Sequence, residues 1–249
     1  MTPLDPRVAD GMREQLALRR ARIREGERSI GWKVGFGSAA AFERLAIDRP
    51  LVGFLTDASL LGDGAEVPIG DWAAPALEAE IAVRLGADVA GDSSWEAVRD
   101  AVAGIAAAIE LVDVHPPPRD VRQILAGNIF HRHLLLGAFD ATRHDATGVT
   151  GRVLRDGVEI AATSDPAAAT GEIVEVVRLT AELLAGCGEL PRAGEVVITG
   201  AVVPPIPVAP GEWFRVELPP LGALELVLTN ASPRGLDPAS SERAVSWRR

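Results

Sequence analysis

Three carboxylates lie in apolar segments where an acidic side chain needs a partner. Glu78 and Glu80 belong to LEAEIAVRL, whose strict alternation of side chains predicts a β-strand over residues 77–85. A spacing of two on a strand places both carboxylates on one face, with Cα atoms about 7 Å apart. Glu110 belongs to AIELVDV, which predicts a buried strand over residues 108–114. Three oxygen ligands suit Mg²⁺ or Mn²⁺ better than Zn²⁺.

Each of these carboxylates also has an interpretation that needs no metal. A Glu-x-Glu pair is common on the solvated face of an edge strand, where water separates the two charges. Glu110 could instead form a buried salt bridge with an arginine. The arginines that could do so are Arg84, Arg119, Arg122 and Arg132. The residues alone leave both interpretations open.

Lys33 is the single lysine of an arginine-rich chain, and it stands in GWKVGFG. The flanking glycines let the backbone bend towards a ligand. A lysine beside a metal-bound oxyanion can hold charge or move a proton, which an arginine cannot do. A surface lysine after a turn is the alternative. Thr199 and Gly200 follow a predicted strand and could bind a substrate carboxylate, or form a plain β-turn.

Helices and short strands alternate along the chain, and these elements must position the charged residues. An amphipathic helix is predicted over residues 7–27, with a basic cluster that either binds an anion or forms a solvated face: Arg19, Arg20, Arg22 and Arg24. The sequence SSWE at 93–96 predicts a capping box and a helix through about residue 107. Further helices are predicted over residues 38–46, 119–126 and 171–185.

Strands dominate the rest of the predicted structure. They are expected over residues 133–139, 151–154 and 158–162, with Arg155-Asp156-Gly157 as a hairpin turn, and in the last third of the chain. The pattern predicts an α+β fold built on a mixed, curved sheet. We divide the chain into an N-terminal helix (1–30), a catalytic domain (31–231) and a polar C-terminal tail (232–249).

Composition narrows the class of function. The formal net charge of −10 opposes nucleic-acid binding, which needs a basic surface. No run of eighteen apolar residues is present, so we expect no membrane span. Cys187 is the single cysteine, which excludes an intrachain disulfide and suits a reducing compartment. The polar N-terminal segment has no signal-peptide pattern, and we expect a cytoplasmic protein.

Five segments, in this order, resemble those of a known family: GWKVGFG, PLVGFLTDASL, PALEAEIAVRLG, AIELVDV and LPRAGEVVITGAVVPPIPVAPGEWFRVEL. In the same order, they are similar to five segments of that family. These are its G-x-K-V/M-G segment, its G-F/T-L-x-D segment, its metal-binding E-x-E strand, the strand of its third carboxylate and its closing region. The resemblance runs from about residue 31 to residue 229. It points to the 2-oxopent-4-enoate hydratases and 2-oxo-3-hexenedioate decarboxylases of the fumarylacetoacetase superfamily.

This resemblance implies a fold, a metal and a reaction. The fold is a mixed β-sandwich roll of the fumarylacetoacetase C-terminal type, preceded by a short helical segment. One Mg²⁺ or Mn²⁺ is held by Glu78, Glu80 and Glu110, and it acts as a Lewis acid that stabilises the dienolate of a small 2-oxo acid. The implied catalytic residues are Lys33, Glu80 and His131, and the implied substrate-binding residues are Gly35, Leu51, Asn128, Thr199 and Gly200. A homo-oligomer that degrades aromatic compounds is also expected.

Two departures from the family pattern bear on the reaction. Leu51 stands where the hydratases commonly carry an aspartate, whereas the decarboxylases tend to have an apolar residue there. AGNIFHRH at residues 126–133 replaces a D-N-A-S-like sequence, with Gly127 at the expected aspartate and Asn128 retained. His131 could serve as a replacement acid or base, because histidine titrates near neutrality. A histidine whose hydrogen bonds are satisfied within the fold is the alternative.

These features favour a metal-dependent lyase over two other classes. A C–C hydrolase acting on acylpyruvate-type substrates would carry a K-N-Y-x-x-H-like segment, but the chain has no tyrosine and no histidine before His115. A water-activating histidine–glutamate pair over the metal would favour that hydrolase. A non-catalytic member that keeps the fold and the metal site is the third class, because Leu51 and Gly127 alter the acid/base set.

Overall fold

The computed structural model describes residues 4–230 except 116 and 118. The helices are α1 (Pro6–Arg24), α2 (Ala39–Leu45), α3 (Trp95–Ala101), α4 (Val121–Ala126), α5 (Ala167–Thr170) and α6 (Ile173–Ala185). The first seven strands are β1 (Ser29–Gly35), β2 (Leu51–Thr56), β3 (Leu60–Leu61), β4 (Ala65–Pro68), β5 (Pro75–Leu85), β6 (Val102–Asp113) and β7 (His131–Leu136). The others are β8 (Gly151–Arg155), β9 (Val158–Thr163), β10 (Val196–Ala201), β11 (Ile206–Pro207), β12 (Trp213–Glu217) and β13 (Ala223–Thr229). The predicted polar tail lies outside the described residues.

An eight-stranded mixed sheet forms the larger layer of the described structure. Its order is β2-β1-β10-β5-β6-β7-β3, and β11 pairs with the start of β5. The strands β2 and β3 stand at opposite ends of this order, yet the 3₁₀ turn Asp57–Ser59 alone connects them. Three residues span roughly 10 Å at most. The sheet must therefore curl until its two ends meet.

A five-stranded sheet, ordered β4-β13-β12-β8-β9, covers one face of the larger sheet. Alternate residues of β5 point towards it, so Leu77 and Ile81 share one apolar cluster with Phe214 and Leu226. The side-chain period of two directs the intervening residues, Glu78 and Glu80 among them, to the opposite face. The apolar core thus lies between the sheets, and the carboxylates lie on the face turned away from it.

Helix α1 packs across β1 and β2. Its buried residues Val8, Met12 and Leu16 share a cluster with Trp32 and Phe54. Gln15 adds buried hydrogen bonds, because its side-chain amide donates to the backbone oxygens of Val52 (3.1 Å) and Leu125 (2.9 Å). The helix is therefore fixed to β2, which pairs with the strand that carries Lys33, and to α4.

The predicted helix through residue 107 is wrong. Helix α3 ends at Ala101, and Val102 begins the twelve-residue strand β6, almost all of which is buried. The β-branched residues Val102 and Ile105 suit a strand, and pairing with β5 and β7 outweighs the helix propensity of the alanines. The cap is also displaced by one residue, since Ser94 rather than Ser93 accepts from the backbone N–H of Ala97.

Other predicted elements are confirmed with shifted ends. The strand predicted from residue 133 begins at His131, and the helix predicted from residue 171 begins at Ile173. In the predicted hairpin turn, Asp156 (φ 50°) and Gly157 (φ 82°) both adopt left-handed backbone, as a two-residue turn of type I′ requires. Among the described helices, none is both long and apolar enough to cross a membrane.

Candidate metal centre

The register of β5 against β6 brings the three carboxylates together. Glu78 lies directly opposite Glu110, and Glu80 lies opposite Ala108. One oxygen from each of the three carboxylates lies within 4.8 Å of the other two. β5 is a central strand between β10 and β6, and Glu80 is fully buried. The alternative of a solvated edge strand is therefore wrong.

Lys33 reaches the same group from β1. Its side chain is 2 % exposed, and Nζ donates to Glu110 Oε1 at 2.5 Å and to the backbone oxygen of Ile129 at 3.2 Å. The interpretation of Lys33 as a surface lysine is wrong. The buried salt bridge foreseen for Glu110 exists, but its cation is Lys33, whereas Arg122 pairs with Glu14 at the surface.

His131 contacts the carboxylate that Lys33 holds. Its Nδ1 lies 2.7 Å from Glu110 Oε1, and its Nε2 lies 2.9 Å from Ser59 Oγ. Burial lowers the pKa of His131, although Glu110 opposes that shift. We therefore assign a neutral ring whose Nδ1–H donates to Glu110, while the Ser59 hydroxyl, which has one proton to donate, lies between Nε2 and the Thr56 oxygen. Both ring nitrogens therefore have partners, as expected for a histidine whose hydrogen bonds are satisfied within the fold.

Burial and mutual repulsion set the protonation of the carboxylates. Burial raises the pKa of Glu80 well above its ordinary value, and repulsion from Glu110 and Glu78 adds to the rise. Burial and then Glu110 raise the pKa of Glu78 to about 7. For Glu110, burial acts in the same direction, but the Lys33 charge and the His131 hydrogen bond outweigh it and leave its pKa low. The charge of Lys33 thus compensates the charge of Glu110. Glu78 and Glu80 remain as two carboxylates that favour a bound cation.

The orphaned oxygens of the cluster indicate that a metal ion fits. Among the described residues, no hydrogen-bond partner reaches the buried Glu80 Oε1 or the buried Glu110 Oε2. A buried carboxylate oxygen without a partner is costly, and a divalent cation would satisfy both atoms. The three carboxylates supply hard oxygen ligands and leave coordination positions for a substrate.

A left-handed turn before β7 positions Lys33 and His131. Asn128, Ile129 and Phe130 have φ values of 52°, 50° and 62°, which is costly for a β-branched isoleucine. The Asn128 side chain accepts from the Phe54 N–H at 2.8 Å and donates to the Phe54 oxygen at 2.9 Å. The turn directs the Ile129 oxygen at Lys33. Asn128, predicted to bind substrate, already uses both of its amide atoms here.

The remaining predicted residues surround the cluster at different depths. Gly200 donates its N–H to Glu80 Oε2 at 2.8 Å, and its φ of 97° requires a glycine. The Thr199 hydroxyl donates to the Ile81 oxygen at 3.2 Å. Gly35 and Leu51 are cross-strand partners, and Leu51 is fully buried in the apolar cluster beneath α1. Gly200 therefore orients a carboxylate, while Leu51 packs with the buried residues of α1.

Sequence reasoning missed Ser59, whose hydroxyl lies 2.9 Å from His131 Nε2 and 2.8 Å from the Thr56 oxygen. No sequence signal marks it, because its contact crosses from the 3₁₀ turn after β2 to β7. The pairing of Lys33 with Glu110 also joins distant segments, 77 residues apart. Both contacts depend on the curl of the sheet, which brings β2, β1 and β7 around one pocket.

Comparison with known proteins identifies the family. The profile described as fumarylacetoacetate (FAA) hydrolase C-terminal matches residues 32–229. A 2-keto-4-pentenoate hydratase of Burkholderia vietnamiensis is 30% identical over 82% of this chain and 79% of its own length. A 4-oxalocrotonate decarboxylase of Pseudomonas putida is 29% identical over 87% of this chain and 83% of its own.

A solved structure agrees with these sequence matches. The 4-oxalocrotonate decarboxylase from Pseudomonas putida G7, complexed with magnesium and adipate, superposes with a TM-score of 0.83 and 26% identity. The match covers 89% of this chain and 86% of that one. The chain belongs to the fumarylacetoacetate hydrolase family. The resemblance and the fold class inferred from the sequence are confirmed.

Proposed function

We propose that the chain is a divalent-metal-dependent lyase, a decarboxylase or hydratase, acting on small 2-oxo or 2-hydroxy-enoic acids. The observation that carries this proposal is the convergence of Glu78, Glu80 and Glu110 around orphaned buried oxygens, with Lys33 beside them. The hydratase and decarboxylase relatives, one of them complexed with magnesium, support it. Three carboxylates and no sulfur or nitrogen ligand favour Mg²⁺ or Mn²⁺.

Within this proposal the metal ion, held by the three glutamates, supplies Lewis-acid stabilisation of negative charge on the substrate oxygens. Lys33 supplies the second positive charge. Its ammonium is nearly fully buried, so it can hold the substrate's oxyanion or pass it a proton in a site that excludes water. Glu80 holds an unpaired oxygen beside the same space and is the candidate for proton transfer among the carboxylates.

His131 and Gly200 act through the carboxylates they contact. His131 fixes Glu110 Oε1, which leaves the unpartnered Oε2 as the atom that would hold a metal ion. Gly200 fixes Glu80 Oε2 in the same way and leaves Oε1. Glu80 and Glu110 thus each have one carboxylate oxygen in a hydrogen bond and one that is available to a metal ion. Partners of this kind orient metal ligands and raise metal affinity.

Between the two lyase reactions we favour decarboxylation. Hydration needs an acid or base to handle the added water, and Leu51 places an apolar, fully buried side chain where the hydratases carry an aspartate. Loss of CO₂ needs stabilisation of the negative charge that remains, which Lys33 and a metal ion held by the three glutamates would provide. His131 is not free to replace the aspartate, because both of its nitrogens already have partners.

One observation favours a second candidate, a C–C hydrolase of acylpyruvate-type substrates. His131 and Glu110 form a histidine–glutamate pair beside the cluster, as such an enzyme would use to activate water. Lys33 and His131 both hold Glu110 Oε1, however, and Ser59 holds the far nitrogen of His131. The histidine and the glutamate therefore hold each other in place and do not offer a free atom to activate water. This makes hydrolysis the weaker candidate.

Turnover with separate product detection tests these assignments. Metal-free protein is reloaded with Mg²⁺ or Mn²⁺ and given 2-oxo-3-hexenedioate or 2-hydroxypenta-2,4-dienoate, while CO₂, the 4-hydroxy-2-oxo acid and pyruvate are each measured. We expect metal-dependent CO₂ from the first compound. Hydration of the second would assign the chain to the hydratases, and pyruvate release would assign it to the hydrolases. No turnover with metal bound would refute the lyase proposal.

We further propose a cytoplasmic homo-oligomer of aromatic-compound breakdown in which residues 31–231 form the catalytic domain and residues 1–30 a helical extension. Light scattering after gel filtration tests the oligomer, with a monomer as the contradicting result. The contacts of α1 with β2 and α4 imply that the extension is part of the working enzyme rather than a removable segment.

A further inference from the structure

A cavity of about 240 Å³ opens beside the candidate metal centre. Its wall includes His131 and Asn128, which belong to that centre, and residues of α1 and α4. Another side is lined by His115, Pro117 and Arg119, which follow β6. The charged residues that line the cavity are Arg22, Asp113, Arg119, Asp120 and Arg132.

The two acidic residues of the cavity already accept hydrogen bonds within the fold. Asp113 accepts from the backbone N–H groups of Ala73 (3.1 Å) and Ala74 (2.8 Å) and from Arg132 (3.1 Å). Asp120 caps α4, accepting from two backbone N–H groups in its first turn. Three arginines against two aspartates leave the lining with one positive charge in excess, in a chain whose formal net charge is −10.

Arg22 is the arginine best placed to bind a ligand. It lies half-buried near the end of α1, and its guanidinium carbon lies 5.5 Å from the centre of the Phe54 ring. Within residues 4–115, 117 and 119–230, no carboxylate pairs with it. The Phe54 backbone is the same one that Asn128 holds, so the guanidinium is fixed relative to the turn that positions Lys33 and His131.

The neighbouring arginines of α1 differ in their surroundings. Arg19 is engaged by Ser29 and Glu189 and lies over Trp32. Arg20 and Arg24 are exposed and do not line the cavity. Arg20 and Arg24 thus form a solvated basic face, whereas Arg22 lines the cavity.

We propose that Arg22 binds the second carboxylate of a dicarboxylate substrate whose 2-oxo acid end lies at Glu78, Glu80 and Glu110. The inference rests on the proposed function and narrows its substrate class. A half-buried guanidinium offers a planar fork of donors that matches a carboxylate, and low solvent exposure strengthens the pair. A substrate with one carboxylate would leave this charge uncompensated, so the cavity selects dicarboxylates over monocarboxylates.

Ligand binding tests the proposal without turnover. Adipate and hexanoate have six carbons each and differ by one carboxylate, and both are titrated calorimetrically into the Mg²⁺-loaded protein. We expect wild type to bind adipate about tenfold more tightly, the factor of one charge-assisted hydrogen-bonded pair. Arg22→Gln should remove this preference by weakening adipate alone. Arg20→Gln, an exposed change on the same helix, should leave both affinities unchanged.

Two further outcomes decide between recognition and a structural role. Arg22→Lys keeps the charge without the fork, so it should retain part of the adipate preference and melt at the wild-type temperature. Equal weakening of adipate and hexanoate in Arg22→Gln would overturn the proposal, as would a wild type that binds adipate no better than hexanoate. Adipate selectivity without turnover would refute the lyase assignment alone, whereas metal-dependent turnover without selectivity would refute the role of Arg22 alone.

Discussion

The two faces of the eight-stranded sheet differ in chemistry although the same strands form both. One face is apolar, and the other carries the charged cluster. On one face, Leu77 and Ile81 of β5 pack against the second sheet in an apolar cluster. On the other face, Glu78 and Glu80 of the same strand approach Glu110 and the buried Lys33. The first face gains free energy of folding by burial, while the second buries charges that oppose folding until a cation arrives.

The contrast explains how the sheet tolerates a charged cluster. β5 is hydrogen-bonded to a neighbouring strand along both edges, so its backbone position does not depend on favourable contacts of its side chains. Around the carboxylates, the polar face carries small side chains, with Ala108 opposite Glu80 and Ala106 opposite Ala82. These alanines are fully buried with Leu134 in an apolar cluster on the same face. Burial of the apolar face stabilises the fold. Burial of the carboxylates on the polar face lowers the stability and provides the ligands for binding.

Replacing Glu110 by glutamine should produce the largest effect. The variant leaves Lys33 buried without its charge partner, and breaking a buried pair costs about 3–5 kcal/mol of the free energy of unfolding. Urea denaturation in the presence of a chelator measures this. Glu14→Gln, which removes an exposed partner of Arg122, is the matched control and should cost less than about 1 kcal/mol. Equal losses in the two variants would contradict the account.

Replacing Ile81 by alanine tests the apolar face. The side chain is buried between the sheets, so truncation should cost about 2–5 kcal/mol of stability. Because Ile81 points away from the carboxylates, Mn²⁺ affinity of the folded variant should stay within about twofold of wild type, whereas ligand loss costs far more. Calorimetry at low temperature checks this. A large drop in metal affinity would show that the two faces are not independent.

Replacing Glu80 by glutamine should change stability in the opposite direction from Glu110. Burial raises the pKa of Glu80, so the folded state binds its proton more tightly, and stability falls as pH rises above the ordinary carboxyl value. The neutral variant avoids this loss and still accepts from Gly200. At pH 8, without metal, we expect it to be more stable than wild type by at least about 1 kcal/mol. Unchanged or lower stability would contradict this.

Removing the His131 ring should weaken metal binding by less than the loss of a carboxylate ligand does. His131→Leu loses the donor that orients Glu110 and should weaken metal binding about 10–100-fold, as changes beside metal ligands do. His131→Asn keeps a donor near the position of Nδ1 and should recover most of the affinity. Failure of the asparagine variant to bind better than the leucine variant would show that His131 does not act through Glu110.

The sequence predicted much of the fold because its local signals agreed with the tertiary structure. The alternation over residues 77–85 specified a strand and placed Glu78 and Glu80 on one face, as found. The helix predicted through residue 107 failed because alanine-rich sequence favours a helix locally, while β6 is stabilised by pairing with β5 and β7 along its length. Local propensity contains no information about those partners.

The candidate site was predictable in its residue types and less so in its contacts. Glu110, Lys33 and His131 were singled out separately, but their shared oxygen depends on the curl of the sheet. Ser59 carried no signal at all. The left-handed backbone of Ile129 could not be foreseen either, because β-branched residues disfavour that conformation and adopt it only when the surrounding contacts enforce it.

The most direct test of the central claim is a calorimetric titration of Mn²⁺ into the metal-free protein. Wild type should bind one ion per chain, and Glu78→Gln, Glu80→Gln and Glu110→Gln should each weaken that binding by more than about 100-fold, beyond the loss typical of residues that only orient a ligand. Unchanged affinity in any of the three variants would show that its carboxylate is not a ligand, and the account of this face of the sheet would be wrong.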